Sequence, residues 1–267
     1  MKKNALLLTA LSVLAAGGLA QAQTTGNIAA VEAAGSGTVT INSDPIITAL
    51  MSVPGLGDGG TKTYTSYAIL ATDGTGSVEL FGKLPTGSTY VPTVGDEISV
   101  SGTYSPYNQI PEVASMTAIS LVSSGNVIPA PQTYTLAQVE QATLPLSIAG
   151  YLISIEDVTI AGASGNFPTA STGYTINDSS TPTGMELYDW TSSYSAAGAL
   201  AGTPIPTGPV DITGLMDVFT SVTGGVTNST PEFIPYSVTP VAAPEPTTWA
   251  FAAMGGLSML AGLRRRK

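Results

Sequence analysis

Across residues 23–243 apolar positions alternate with Thr, Ser and other polar positions over short runs, and Gly, Pro, Ser and Asn separate one run from the next. A period of two puts every second side chain on one face, so each run predicts a half-buried strand. The predicted strands are 37–41, 46–51, 66–71, 77–81, 97–104 and 116–122, followed by 147–155, 158–160, 173–176, 185–188, 210–215 and 234–238. Between the two groups lies a connector at 126–131 that carries Pro129 and Pro131. Residues 135–142 are the one stretch that predicts the start of a helix, with Thr135 as N-cap and Pro145 beyond its end.

The two groups of strands repeat one another. Tyr67-Ala68-Ile69, a turn with Asp73 and Gly76, and Val78-Glu79-Leu80-Phe81 parallel Tyr174-Thr175-Ile176, a turn with Asp178 and Gly184, and Met185-Glu186-Leu187-Tyr188. Further on, 94–102 parallels 207–214. A repeat of this length favours tandem domains over one long sandwich. The expected fold is all-β: two small β-barrels at 23–128 and 129–243, between an N-terminal segment 1–22 and a C-terminal segment 244–267.

Composition narrows the chemistry. Of the 18 acidic residues all but Glu245 lie within 23–243, where Lys62 and Lys83 are the only bases, a formal charge of about −15 for that body. Phosphate backbones are bound by Lys and Arg that release counterions, so the expectation is no nucleic-acid partner. Cysteine and histidine are both absent. That removes disulfides, thiolate metal sites, Ser-His-Asp and Cys-His catalysis, and the commonest zinc ligand. No cofactor and no metal are expected, and no enzyme activity.

The ends carry processing signals. Lys2 and Lys3, an apolar run to Leu19, and small residues at Ala20 and Ala22 have the order of a secretory signal peptide, with signal peptidase as the implied partner. At the other end Pro244-Glu245-Pro246 precedes an apolar stretch, 247–263, that stops at Arg264, Arg265, Arg266 and Lys267. This order resembles the PEP-CTERM signal, also known under an ice-binding protein C-terminal domain name. The resemblance covers about 24 residues and implies recognition by an exosortase. A 17-residue helix spans about 25 Å, which suits a transmembrane helix with its four charges held inside. The implied localisation is export across the inner membrane, at least transient membrane anchoring, and then the cell surface or the extracellular space. Charge and length do not distinguish a cleaved helix from a retained one.

The body resembles a second family. An apolar strand, a D-x-x-G hairpin at Asp73–Gly76, a short strand and then Val94-Gly95-Asp96-Glu97-Ile98-Ser99-Val100-Ser101-Gly102 are similar to the OB-fold modules of secreted bacterial proteins, some of them extracellular nucleases. The second copy departs from that pattern at Pro209 and carries an insertion around 192–202. The resemblance implies five-stranded barrels that bind oligonucleotides or oligosaccharides across strands 2 and 3.

Candidate chemistry is sparse. Asp73-Gly74-Thr75-Gly76 reads as a tight turn, with a calcium loop as the competing reading. The adjacent acids Asp96-Glu97 and Glu156-Asp157 point to opposite faces of a strand, so neither pair can flank one glycosidic bond. Tyr104, Tyr107, Trp190 and Tyr194 are the candidates for stacking on sugar rings, with core packing as their alternative role, and Tyr134 belongs with them. The expected function is a non-catalytic surface or matrix protein. An exopolysaccharide-binding module and a hydrolase related to secreted nucleases are the alternatives.

Overall fold

The computed structural model describes residues 23–52, 67–141, 148–162, 164–168, 172–181, 184–189, 200–223 and 226–242. Ala20, Ala22, Pro244, Glu245, Pro246 and the basic run Arg264, Arg265, Arg266 and Lys267 lie outside the described residues, as do Trp190 and Tyr194.

The chain forms two sheets. The first holds β1 (Thr24–Gly26), β2 (Gly37–Ile41), β3 (Ile46–Ser52), β4 (Tyr67–Thr72), β5 (Ser77–Gly82), β6 (Glu97–Tyr104) and β7 (Glu112–Ser123), with helix α1 (Ile28–Ala34) after β1. Its order is β1-β2-β6-β3-β4-β5-β7, and β7 also pairs with β6, so β3, β4, β5, β7 and β6 close into a five-stranded barrel. The second sheet holds β8 (Gln132–Tyr134), β9 (Leu152–Ala161), β10 (Thr172–Asn177), β11 (Met185–Asp189), β12 (Val210–Thr223) and β13 (Val226–Pro240), with α2 (Leu136–Val139) after β8. It runs β10-β11-β13-β12-β9-β8, and β9 returns to pair with β10, closing a second ring of the same connectivity. In each ring the third strand and the last are parallel, β5 with β7 and β11 with β13. Outside each ring a short parallel strand, β1 or β8, leads into a helix. The two rings share one order of strands, first-second-third-fifth-fourth and back to the first.

The alternation of the sequence explains the cores. On β6, Ile98, Val100 and Tyr104 point inward to join Ile41, Ile69, Leu80 and Val113. In the second barrel Ile153, Ile155, Ile176, Leu187, Ile212 and Phe233 play that part. Each helix adds two apolar side chains to its barrel, Ile28 and Val31 from α1 and Leu136 and Val139 from α2. Full burial of such a residue contributes about 1.5–3 kcal/mol. Thr135 caps α2 as expected, through a capping box with Gln138.

Other elements differ from expectation. Residues 147–155 and 158–160 were expected as two strands; β9 is one strand through Ala161, kinked where Asp157 takes φ 55° and the register with β12 shifts. The hairpin of β12 and β13 is far longer than 210–215 and 234–238 imply, paired from Val210↔Pro240 to Thr223↔Val226. Helix α1 was not expected at all.

The membrane-anchored localisation is corrected here. Among the described residues no helix is long and apolar enough to cross a membrane. Helices α1 and α2 have seven and four residues and pack into barrels, against about 20 apolar residues for a span. Residues 247–263, on which the anchor was read, lie outside the described residues.

The barrels pack against each other. Ala49, Ala68 and Leu70 of the first bury against Leu215 and Ile234 of the second, with Phe81, Leu152 and Tyr236 at the margin. Ile110 meets Ala149 and Val218 in a smaller cluster, and Ser77 Oγ donates to the Gly150 carbonyl at 3.2 Å.

Candidate ligand face of the second barrel

Strands β4–β5 and β10–β11 occupy the same place in the two rings, and this pair carries ligands in OB barrels. Their registers align them residue by residue. Leu70 faces Glu79 and Ala68 faces Phe81 in the first barrel; Thr175 faces Glu186 and Gly173 faces Tyr188 in the second. The pairing moves the sequence match of the first strand by two residues, so Leu70, not Ala68, corresponds to Thr175.

The outward positions of the first pair are Ala68, Leu70, Ser77, Glu79 and Phe81, and the second barrel covers them. The outward positions of the second pair stay open. Gly173, Thr175 and Glu186 are exposed and line an open groove of about 630 Å³ with Gly162, Gly184 and Met185. A Cβ on Gly173 would stand 2.7 Å from Glu186 Oε1, the movable end of that side chain, and 3.7 Å from Tyr188 Cδ2, an ordinary contact distance, so the carboxylate and the ring edge both lie beside this glycine. The turn beyond is ordered by Asp178, whose Oδ1 accepts from the amides and hydroxyls of Ser180 and Thr181 at 2.7–2.8 Å. Those bonds, from the Ser180 hydroxyl first, hold its carboxyl below its ordinary range.

Asp73 makes the same turn in the first barrel, accepting from Thr75 N, Thr75 Oγ1 and Gly76 N through Oδ1. Its Oδ2 accepts from Ile28 N at 2.8 Å and from the Ser43 hydroxyl. Burial raises its pKa, and the bonds from Ser43, Thr75 and Ile28 outweigh that and leave it lowered. Both oxygens are spent, on the turn, on Ser43 and on the first amide of α1, whose N-cap is Asn27.

Of the stacking candidates, Tyr104 is corrected to a core residue. It is 4% exposed, packed among Ile41, Val100 and Val113, and its pKa is pushed up to about 12 by burial and then by Glu32. Tyr107 is 64% exposed and pairs with Ile110 across a two-residue turn whose Asn108 and Gln109 have positive φ. Its ring is exposed, and it is not among the residues that line the groove. Tyr134 packs against the second core, its hydroxyl donating to Gln132 Oε1 at 2.6 Å. The adjacent acids serve local structure. Asp96 Oδ2 accepts from Tyr90 OH and Thr93 N, Glu97 Oε2 accepts from Ser123 Oγ, and Asp157 N donates to Asp211 Oδ1.

The carboxylates that do come together are others. Glu79 and Glu112 face each other on β5 and β7, Asp217 and Glu232 on β12 and β13, and all four are buried. Burial, then the charges of Glu112 and Asp217, push Glu79 up to about 8. Burial also raises Glu112 and Asp217. The sequence signal for this cluster is Pro-Glu in each half, Pro111-Glu112 and Pro231-Glu232.

No family model and no curated protein matches the chain. Solved structures similar to it include a murine DNA binding protein bound with ds DNA, at 16% identity and a TM-score of 0.35, covering 76% of this chain and 98% of that one. Another is a replication protein A heterotrimer bound to ssDNA, at 8% identity and a TM-score of 0.24, covering 86% of this chain and 69% of that one. Both of those proteins are bound to DNA, which runs against the expectation that nucleic acid is excluded as a partner, and that exclusion is withdrawn. At such TM-scores the likeness carries no argument for what this chain binds.

Proposed function

We propose that the chain is a non-catalytic binding protein whose second barrel takes a neutral glycan on its open β10–β11 face, while the first barrel supports it. The observation that carries this reading is the open groove lined by Gly173, Thr175 and Glu186, with the edge of the Tyr188 ring beside Gly173. A carboxylate accepts hydrogen bonds from sugar hydroxyls, and an aromatic ring offers an apolar surface to the C–H face of a pyranose. OB barrels take oligosaccharides across this pair of strands. Lack of catalysis is supported by the absence of histidine and cysteine and by the burial of Glu79, Glu112, Asp217 and Glu232.

Calorimetric titration of the purified chain with soluble oligosaccharides tests the reading. Binding to at least one neutral glycan is expected, weakened roughly tenfold or more, about 1.4 kcal/mol, by Glu186→Ala and by Tyr188→Ala. Absence of binding across the panel, or the appearance of cleaved products, would sink it. Single-stranded DNA saturating the groove in place of sugars would replace the ligand.

A further inference from the structure

The contact between the barrels joins two features that oppose one another. Its apolar part, Ala68 and Leu70 against Leu215 and Ile234, holds the barrels together. Beside it, on the same outward face of β5, stands Glu79, between Ser77, which bonds Gly150 of the second barrel, and Phe81, which joins the apolar cluster. The groups that face Glu79 are Glu112 from β7 and Asp217 from β12; Glu232 of β13 is buried opposite Asp217 and has the exposed Glu186 of β11 registered on its other side. Tyr236, also on β13, is the remaining titratable group in the apolar cluster. Lys83 is the only basic residue among the described residues, and no Arg or His is among them. Like charges gathered out of water cost far more than they do at a surface.

We propose that the contact between the barrels is a pH-sensitive latch, closed while its carboxyls hold their protons and opened as they ionise, and that opening it uncovers the β4–β5 face of the first barrel. That face occupies the position which in the second barrel is open. The apolar patch supplies the closing force at every pH, and the acids supply the opposing one only when charged.

The pH window follows from Glu79. Its closed-state pKa of about 8 lies above the ordinary 4.5. Closure is therefore fully favoured below pH 4.5, weakens as pH rises, and has lost this contribution once pH passes about 8. Glu112 and Asp217, both raised, act in the same direction.

The chain has no cysteine, so single cysteines report on the latch in the full-length protein. Ser77→Cys, or Ala68→Cys where the first folds poorly, lies under the second barrel; Thr175→Cys lies on the open strand and carries the same intrinsic thiol chemistry. Ala71→Cys, in the first barrel's core, reports unfolding. The ratio of maleimide labelling rates, covered to open, is expected to rise roughly tenfold or more between about pH 5 and about pH 9, tenfold being one pKa unit of coupling. Glu79→Gln should reduce that rise, leaving only what Glu112 and Asp217 contribute, while Ala71→Cys stays slow throughout. A ratio that does not change with pH, a rise undiminished by Glu79→Gln, or labelling of Ala71→Cys in step with the covered site would each overturn the latch. Glycan binding enters none of these readouts.

Discussion

The two barrels share a connectivity and differ in what their corresponding strands present outward. On β4–β5 the outward positions opposite Glu79 and Phe81 are Leu70 and Ala68; on β10–β11 those opposite Glu186 and Tyr188 are Thr175 and Gly173. One pair of substitutions separates a surface that seals from a surface that stays wet. The glutamates follow suit: Glu79 is sealed among acids and holds its proton to about pH 8, while Glu186 leans into an open groove. The same residue at the same place in one fold is buried at the contact between the barrels in one copy and exposed in the other.

The largest effect that breaks this comparison is a carboxylate placed at matching positions. Leu70→Asp puts a further acid where Glu79, Glu112 and Asp217 already gather, and should destabilise the chain by about 3–5 kcal/mol, the cost of an uncompensated buried charge. Thr175→Asp adds the same group opposite Glu186 in water and should cost under about 1 kcal/mol. Chemical denaturation at neutral pH checks both; equal losses would show that the two faces are alike.

A smaller asymmetry concerns the turns. Asp73 and Asp178 both accept from the amides of the residues two and three ahead, but Asp73 also holds the first amide of a helix, accepting from Ile28 N beside the Asn27 cap. Asp73→Ala should cost about 1–2 kcal/mol, in the range of a lost N-cap, and Asp178→Ala within about 0.5 kcal/mol, as for exposed sites. Because the pKa of Asp73 is lowered, its contribution is present above its ordinary 3.8 and is lost as pH falls through the depressed value. Thermal melts of both variants at neutral pH and in acid measure the difference.

How much of this was legible depended on how local the cause was. Strands such as β2 and β6 follow from alternation alone, and Thr135 with Gln138 announces α2 within four residues. The inward place of Tyr104 is also legible, since it shares the parity of Ile98 and Val100 on β6. Helix α1 has a local N-cap, Asn27 accepting from Ala30 N, but it is only seven residues long and its first two amides find their partners in Asp73 and Thr75, more than 40 residues away. The long β12–β13 arm escapes the pattern because residues such as Thr220, Ser221, Ser229 and Thr230 offer no apolar alternation. The repeat itself was readable, but the facing of Gly173 by Tyr188 needed the register, and the four buried acids needed two barrels brought into contact.

The central claim is that the open face of the second barrel, and not the covered face of the first, receives the ligand. An NMR titration of the isotopically labelled chain with a bound oligosaccharide tests it most directly. Amide shifts confined to Gly173, Thr175, Glu186, Tyr188 and their neighbours are the expected result. Shifts that centre on Ala68, Leu70, Glu79 and Phe81 while β10–β11 stays still would contradict it.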